Sequence, residues 1–243
     1  MKFQEFLERY IHVRPCPGCT SRVSWEHAED AFCTECREKW DRAKTESCKN
    51  CFQAYSDCVC MPKRLEHAGA LVLRKLLRYS SKRQKEPQNR ILYVLKRKPN
   101  RRYSRFLASE LLPLVREELK ALEIESSEAL LTYIPRGRKS NIKYGTDQSE
   151  SVTRALSVLC EVPFANTLHR KWGGKEQKRL SARERQKNLR QLFSVEDPSL
   201  VKGKVVLLFD DVVTSGASMA TCVSLLKKAG ASAVLCFCVA QTE

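Results

Sequence analysis

The 243-residue sequence predicts an α/β fold, in which a parallel β-sheet is flanked by helices and preceded by a small cysteine-rich module. An apolar run at residues 206–209 ends in Asp210 and Asp211, which is typical of a buried parallel strand that delivers charge to the edge of a sheet. A helical pattern and a second apolar run at residues 233–240 follow, which completes a βαβ unit. Eight of the twelve cysteines lie in four close pairs before residue 61, and this spacing predicts metal knuckles.

Small residues fill the segment between the acid pair and the next helix. They are Thr214, Ser215, Gly216, Ala217 and Ser218. Because small residues let backbone N–H groups approach a ligand at the N-terminus of a helix, this loop favours a phosphate group. The carboxylates of Asp210 and Asp211 can accept hydrogen bonds from vicinal hydroxyls or hold a hydrated divalent cation, so a sugar 5-phosphate satisfies both features. The alternative is that the two acids only end a strand and cap a helix, which explains adjacent like charges poorly.

The paired cysteines have the spacing of tetrahedral zinc knuckles. They are Cys16 and Cys19, Cys33 and Cys36, Cys48 and Cys51, and Cys58 and Cys60. Sequential pairing predicts two structural Zn²⁺ sites, the first held by the first four cysteines and the second by the last four. Disulfides are the alternative, and they are disfavoured because the chain shows no export signal. The other four cysteines lack such spacing and are expected to pack in the core.

The charge of the chain is strongly basic and unevenly placed. The net charge is +16, and residues 61–110 hold an excess of basic residues, which makes a polyanionic partner plausible. One stretch combines basic residues that could meet phosphates with a tyrosine that could stack on a base. It consists of Lys96, Arg97, Lys98, Arg101, Arg102 and Tyr103. The alternative is a solvated helix surface that keeps the protein soluble.

No stretch of eighteen uncharged apolar residues occurs, so the sequence predicts no membrane insertion. Charged residues interrupt the apolar positions of the first ten residues, which excludes a secretion signal there. We therefore expect a cytoplasmic location.

The connecting region from residue 61 to residue 122 has a helical pattern. One helix is predicted through Leu71, Leu73, Leu76 and Leu77, and the polar residues 80–90 are predicted to form a loop. A core strand is then predicted over residues 129–134, and the turn at its carboxyl end contains Pro135, Arg136 and Gly137. Ligands of open α/β sheets bind at that edge, so this turn is a candidate for the pyrophosphate end of a substrate. An ordinary basic turn is the alternative.

The second half of the domain is predicted to contain a helix, a strand and a flap. Thr146 or Asp147 is the expected N-cap of the helix, and a short strand is expected near residues 162–168. Residues 169–190 are basic and polar, which favours a flap that closes over a bound sugar phosphate. Arg185 and Asn188 would project together from a helical turn inside it.

With these motifs in place, the chain resembles the ComF family of competence-associated proteins. The resemblance is carried by residues 206–218, by the four cysteine pairs and by the segment from Leu180 to Leu189. It implies an N-terminal helix and double zinc ribbon over residues 1–61, followed by a type I phosphoribosyltransferase-like domain over residues 62–243. It also implies that Asp210 and Asp211 bind the ribose hydroxyls of phosphoribosyl pyrophosphate. The loop after them would hold the 5-phosphate, and Mg²⁺ would bridge ribose and pyrophosphate.

Two departures from the family pattern fall at the other end of the site. The family commonly has Arg-Gly-Phe-Asn-Gln where this chain has Tyr144-Gly145-Thr146-Asp147-Gln148, and Pro-Val-Pro is replaced by Tyr133-Ile134-Pro135.

The resemblance implies a protein that binds phosphoribosyl pyrophosphate, or a related phosphorylated sugar, and handles single-stranded DNA during natural transformation. Its implied partners are single-stranded DNA and other competence proteins. An alternative is an active phosphoribosyltransferase that transfers ribose 5-phosphate to a base or amine. A second alternative is a regulator that docks a partner protein through the zinc module.

Overall fold

The computed structural model describes residues 14–23, 30–97, 100–137, 147–171 and 191–242. The α-helices in these ranges are α1 (Thr34–Lys44), α2 (Lys63–Ala68), α3 (Pro87–Arg97), α4 (Arg101–Ala121), α5 (Gln148–Cys160) and α6 (Ala217–Lys228). The strands are β1 (Val72–Tyr79), β2 (Ala129–Tyr133), β3 (Leu168–Arg170), β4 (Phe193–Val195), β5 (Val205–Val213) and β6 (Ala233–Thr242). A short 3₁₀ helix covers Pro198–Leu200.

Four strands form one sheet in the order β1-β6-β5-β2, and every neighbouring pair is parallel. Strands β3 and β4 form a separate antiparallel pair. The central strands are buried on both sides, as the continuous apolar runs indicate. The predicted parallel sheet flanked by helices is thus confirmed. Asp210 and Asp211 lie near its carboxyl edge, although β5 continues past them to Val213.

Alternate residues of the sheet face two separate hydrophobic clusters. Leu207, Phe209 and Phe237 belong to the cluster that contains apolar residues of α1, α3, α4 and α5. Leu208 and Cys236 belong to the cluster that contains apolar residues of α2 and α6 and of the β3–β4 pair. Because successive residues of a strand point to opposite faces, the sheet is the middle layer between these two helical layers.

The predicted helix through Leu71, Leu73, Leu76 and Leu77 is wrong, because residues 72–79 form strand β1 beside β6. Leu73, Leu76 and Leu77 are all buried, since β1 is covered on both faces. Arg74 and Lys75 interrupt the apolar run that would have identified a buried strand. The predicted loop over residues 80–90 is also too long, because α3 begins at Pro87, in the first helical turn where proline is tolerated.

The strand predicted near residues 162–168 is shifted. Phe164 makes only an isolated parallel bridge with Leu131, and the strand itself begins at Leu168. The N-cap prediction for the preceding helix is confirmed, since Asp147 caps α5. The four unpaired cysteines are buried, as expected, in the core.

The helices of the described ranges include none whose length and apolar character would let it cross a membrane. The longest of them, α4, has 21 residues and presents charged residues along its exposed face.

Candidate functional site

The acid pair lies at the carboxyl end of β5, where its two side chains point toward different helical layers. Asp211 accepts a hydrogen bond from the side-chain amide of Gln148, the first residue of α5. Asp210 interacts electrostatically with Cys222 on α6 and with Arg170 on β3. The two carboxylates thus lie between the α5 side and the α6 side of the sheet edge.

Burial raises the pKa of Asp210 well above its ordinary value, and the neighbouring Asp211 carboxylate raises this pKa further. The backbone N–H of Asp211 donates to Asp210 Oδ1 at 2.9 Å and opposes part of that shift. In turn, the N–H of Val212 donates to Asp211 Oδ1, also at 2.9 Å. The two adjacent carboxyl groups therefore share a buried site that easily accommodates only one negative charge. Such a site favours a ligand that carries a positive charge or donates hydrogen bonds from hydroxyl groups.

The loop after the acid pair forms a small polar cavity of about 180 Å³. Its lining includes Asp210 and every residue of the predicted phosphate loop, which are Thr214, Ser215, Gly216, Ala217 and Ser218. Gly216 is the N-cap of α6 and has a φ of 70°, a left-handed conformation that favours glycine. A Cβ at Gly216 would lie 3.2 Å from Cγ of Pro62, so the loop also packs tightly against the start of α2.

The turn after β2 is joined to the acid pair through the start of α5. Asp147 accepts hydrogen bonds from the backbone N–H of Ser149, at 3.0 Å, and from that of Arg136, at 2.8 Å. Burial raises the pKa of Asp147, and these two donors oppose the shift. Since Gln148 bonds Asp211, residues 135–137 and the acid pair lie on either side of the same helix N-terminus. The sequence patterns named Asp147 only as a cap and did not identify this junction.

Arg170 is a further cation at this edge that the sequence analysis did not single out. Its guanidinium stacks over the Phe193 ring at 5.3 Å and would lie 3.7 Å from a Cβ at Gly137. Burial lowers the pKa of Arg170, while Asp210 and Asp147 act in the opposite direction. Arg170 is thus a half-buried positive charge beside the pyrophosphate-side turn. The sequence did not distinguish Arg170 as a site residue, because it stands at the start of a long segment rich in basic residues.

The eight paired cysteines form the two predicted groups of four. In each group the sulfur atoms lie within 4.8 Å of one another, and Cys19 and Cys33 approach to 3.5 Å. A tetrahedral zinc with Zn–S bonds of about 2.3 Å requires separations of this order, so both groups could bind zinc. The second group contains the tightly spaced Cys58 and Cys60, whose carbonyl oxygens accept hydrogen bonds from Lys75 Nζ at 3.0 and 2.6 Å.

Two members of the predicted nucleic-acid segment have structural roles instead. Tyr103 is 3% exposed, and its hydroxyl donates to the carbonyl oxygen of Pro15, so its ring is not available to stack on a base. The Arg102 guanidinium donates to the carbonyl oxygens of Asp30 and Ala31, at 2.7 and 3.1 Å. Both side chains hold the first cysteine group against α4. Both residues are close in sequence to exposed arginines, but in the folded helix their side chains face the first cysteine group.

Three of the other four residues of the predicted nucleic-acid segment are exposed, and one lies outside the described residues. Lys96, Arg97 and Arg101 are exposed, and the Arg97 guanidinium lies over the Tyr93 ring at 4.3 Å. Lys98 lies outside the described residues, as do Arg185 and Asn188 of the predicted flap.

The comparisons with known proteins agree with this geometry. The model of the phosphoribosyl transferase domain matches residues 127–242. DNA utilization protein YhgH of Escherichia coli (strain K12) is 32% identical over 118 residues, which cover 45% of this chain and 48% of that protein. The protein of the same name in Salmonella typhi is 31% identical over 110 residues, with the same coverage. The chain therefore spans about half the length of the curated relatives it matches.

Among solved structures, the chain is similar to glutamine phosphoribosylpyrophosphate amidotransferase from B. subtilis, with a TM-score of 0.37 and 19% identity. That match covers 56% of this chain and 26% of the other. The matched family model spans β2, α5, β5, α6 and β6, which are the elements that build the acid pair and its loop. Residues 127–242 thus form a phosphoribosyltransferase domain, and over about half of its length the chain is similar to the DNA utilization proteins YhgH.

Proposed function

We propose that this protein binds phosphoribosyl pyrophosphate with Mg²⁺ at the carboxyl edge of its sheet and uses this domain in the handling of single-stranded DNA. One observation supports the first part above all: Asp210 lines the same polar cavity as the small-residue loop at the N-terminus of α6. A phosphate on the loop and ribose hydroxyls on the carboxylates would then occupy adjacent parts of one site. Carboxylate oxygens are also the ligands that Mg²⁺ prefers, so the donor set of Asp210 and Asp211 fits this ion.

Residues on the α5 side fit the pyrophosphate end of such a ligand. Arg136 is positioned by Asp147, and Arg170 supplies a second guanidinium close to Gly137. Arginines bind phosphate oxygens through several donors at once, so the two side chains would neutralise much of a pyrophosphate charge.

Calorimetry with phosphoribosyl pyrophosphate and Mg²⁺ tests this site directly. The wild-type protein should bind the ligand, and the double variant Asp210→Asn/Asp211→Asn should lose about tenfold or more in affinity, because charge-assisted hydrogen bonds to the ligand are removed. A matched control is Glu125→Gln/Glu128→Gln, which removes two exposed acids that precede β2, at the opposite edge of the sheet. Equal affinities in the two double variants would refute the assignment.

The DNA part of the proposal is supported by the similarity to the DNA utilization proteins YhgH and by the net charge of +16 of this chain. Its test is binding of a labelled single-stranded oligonucleotide over a range of salt concentrations. Contacts with phosphates release counterions, so the affinity should fall steadily as salt rises. Affinity that does not respond to salt would contradict this part. Competence proteins are the further partners that we propose.

We also propose that each four-cysteine group holds one structural zinc ion. Every cysteine of the two groups is already used as a ligand in this arrangement, which leaves no open position for catalysis. Metal analysis should therefore give two zinc ions per chain, and Cys19→Ser should remove one of them. Cys160→Ser, a buried cysteine outside both groups, serves as the control.

An active phosphoribosyltransferase is the second candidate function. It is favoured by the closeness of Arg136, Asp147 and Arg170 to the acid pair, because a transferase must neutralise a leaving pyrophosphate. Release of pyrophosphate in the presence of a panel of bases and amines would distinguish this candidate from binding alone. If there is release, Asp210→Asn/Asp211→Asn should abolish it.

A further inference from the structure

A groove of about 470 Å³ lies between α4 and α5, outside the site described above. Three arginines line it: Arg101 and Arg105 on α4, and Arg154 on α5. Arg101 and Arg105 are four residues apart, so they lie on the same face of their helix. Both are exposed, and neither guanidinium makes a hydrogen bond or ion pair with the part of the chain that the structure describes. Two positive charges on this wall of the groove are therefore available to a ligand.

The opposite wall of the groove is aliphatic. Ala155, Val158 and Leu159 of α5 line it, and Val158, in the last turn of α5, is 79% exposed. Arg154 is held beside this wall because it pairs with Glu150 at 2.8 Å and lies 4.3 Å over the Phe164 ring. The side-chain oxygen of Ser104, which also lines the groove, is buried without a hydrogen-bond partner among the described residues. The groove thus combines an apolar wall with cationic and polar groups.

The groove is next to the proposed sugar-phosphate site. The Ser151 hydroxyl, on the first turn of α5, donates to the carbonyl oxygen of Asp147, the residue that holds Arg136. On the other side, the Arg136 guanidinium donates to the carbonyl oxygen of Lys96, in the last turn of α3, which precedes α4. A chain lying in the groove would therefore pass close to the pyrophosphate-side turn.

We propose that this groove binds single-stranded DNA, with one base against the aliphatic wall and the flanking phosphates on Arg101 and Arg105. The volume suits one nucleotide and not a duplex, whose bases are stacked and cannot lie against an apolar side chain. The arginines supply the charge complementarity, and none of the lining residues is acidic. The choice of DNA rests on the proposed function. In this arrangement the base packs on the apolar wall of the groove and not on the buried ring of Tyr103, which lies on the same helix as Arg101 and Arg105.

The test compares charge-matched variants of the full-length protein by fluorescence anisotropy with a labelled single-stranded oligonucleotide. Arg101→Ala/Arg105→Ala removes the two exposed arginines that α4 contributes to the groove. Lys120→Ala/Lys228→Ala removes two exposed lysines from the last turns of α4 and α6. The groove variant should weaken binding about tenfold and lower the slope of log affinity against log salt by about 1.4, because each contact with a single-strand phosphate contributes about 0.7. The control should change both quantities much less.

A second pair of variants tests the apolar wall. Val158→Glu places a carboxylate in the groove at an exposed position, and Leu200→Glu makes the same charge change at another exposed apolar residue. Only Val158→Glu should weaken DNA binding. Thermal unfolding and calorimetry with phosphoribosyl pyrophosphate should be the same for both, which would show that the fold and the sugar-phosphate site are intact.

The outcomes separate this inference from the proposed function. Wild-type protein that shows no salt-dependent DNA binding would contradict the proposed function, and this inference with it. Wild-type binding that the groove variants reduce no more than their controls would refute the groove alone. Sedimentation provides a further check: if Val158→Glu dissociates an oligomer and leaves DNA binding unchanged, the groove is an interface between copies of the chain, and the inference is overturned.

Discussion

Lys75 on β1 lies at the boundary between the sheet and the second cysteine group, with its Nζ 2.6 Å from the carbonyl oxygen of Cys60. The same nitrogen donates to the carbonyl oxygen of Cys58 at 3.0 Å, and the side chain is almost completely buried. Two backbone groups of the cysteine knuckle are therefore satisfied by a side chain from the domain core. Because Lys75 is paired with Cys238 of β6, and Cys238 with Asp210 of β5, this contact also places the knuckle at the level of the acid pair in the sheet.

Replacing Lys75 should weaken the second cysteine group selectively. Lys75→Met keeps the length of the side chain but leaves two buried carbonyl groups without their donor, which should cost about 1–3 kcal/mol of unfolding free energy. We expect one of two zinc equivalents to reach a colorimetric chelator faster than in the wild type. Lys204→Met is the control, since Lys204 makes the same kind of bond to the Ser127 carbonyl oxygen at an exposed site. Release of both equivalents at wild-type rates would contradict the prediction.

The first cysteine group should depend in a similar way on Glu110. This largely buried carboxylate of α4 accepts hydrogen bonds from Arg37, Trp40 and Lys44 of α1, at 2.6 to 2.8 Å. Glu110→Gln should lower the unfolding free energy by about 1–3 kcal/mol, because two charged partners and an indole N–H lose a charged acceptor.

Urea unfolding measures this cost, and Glu117→Gln provides the comparison. Glu117 also pairs with an arginine, Arg74, at 2.8 Å, but it is 60% exposed. Arg74 keeps its second partner, Glu118, at 2.6 Å, and Glu117 itself is largely in water, so this control should stay within about 0.5 kcal/mol of the wild type. A similar effect of the two substitutions would show that α1 is held to α4 by apolar packing rather than by Glu110.

Chelation of the metal should be reported by one tryptophan. Trp40 is fully buried, and its ring lies 5.5 Å from Phe32 and 5.3 Å from Phe106 between the first cysteine group and α4. Removal of zinc from a module with so small a core should release Phe32 and expose Trp40 to water. We expect a red shift of the fluorescence that Trp40→Phe diminishes, and recovery of the native signal when zinc is restored. A tryptophan environment that does not respond to chelation would refute a structural role for the metal.

Much of this architecture was predictable because it is encoded locally. The apolar run before Asp210 and Asp211 and the small residues after them are contiguous in sequence, so the strand, the loop and the start of the helix could be assigned from one segment. The grouping of the cysteines followed from sequential pairing. Strand β1 was not predictable, because Arg74 and Lys75 have partners that only the tertiary structure supplies.

The site itself was predicted only in part, for the same reason. Its loop is contiguous in sequence, whereas the bond between Gln148 and Asp211 joins residues 63 positions apart. The position of Arg170 depends on the β3–β4 pairing, which residue patterns in a basic segment do not reveal. Tyr103 shows that a sequence pattern can also suggest a binding role that the fold excludes, since this tyrosine stands among arginines in the sequence but is buried in the core.

The raised pKa of Asp210 predicts how stability depends on pH. A carboxyl group whose pKa is higher in the folded protein holds its proton more tightly there, so stability should fall as the pH rises from about 4, where the unfolded chain titrates, through the native pKa. Asp210→Asn removes this loss. The variant should therefore be more stable than the wild type at neutral pH, and the difference should vanish in acid.

Asp197→Asn gives the opposite sign and serves as the control for that experiment. Hydrogen bonds from the hydroxyl and backbone N–H of Ser199 lower the pKa of Asp197, so its contribution is present above the pKa of the unfolded chain and is lost in acid. Urea unfolding at a series of pH values should then give difference curves of opposite sign for the two variants. Curves of the same sign would show that the Asp210 carboxyl is not destabilised by its surroundings.

Substitution of Gly216 tests the phosphate loop, and Gly203 provides a matched control in the same chain. Gly216 and Gly203 have nearly the same left-handed backbone, with φ values of 70° and 74°. A Cβ at Gly216 would lie 3.2 Å from Pro62, whereas a Cβ at Gly203 would have no atom within 4 Å. Both alanine substitutions should therefore cost about 1–2 kcal/mol from the backbone alone, and Gly216→Ala should cost more because the loop must move away from α2. Since that loop is the proposed phosphate cradle, only Gly216→Ala should also weaken the binding of phosphoribosyl pyrophosphate in calorimetry. If both variants lose stability equally and bind the ligand equally well, then neither the contact with Pro62 nor the backbone of the loop determines how the phosphate is held.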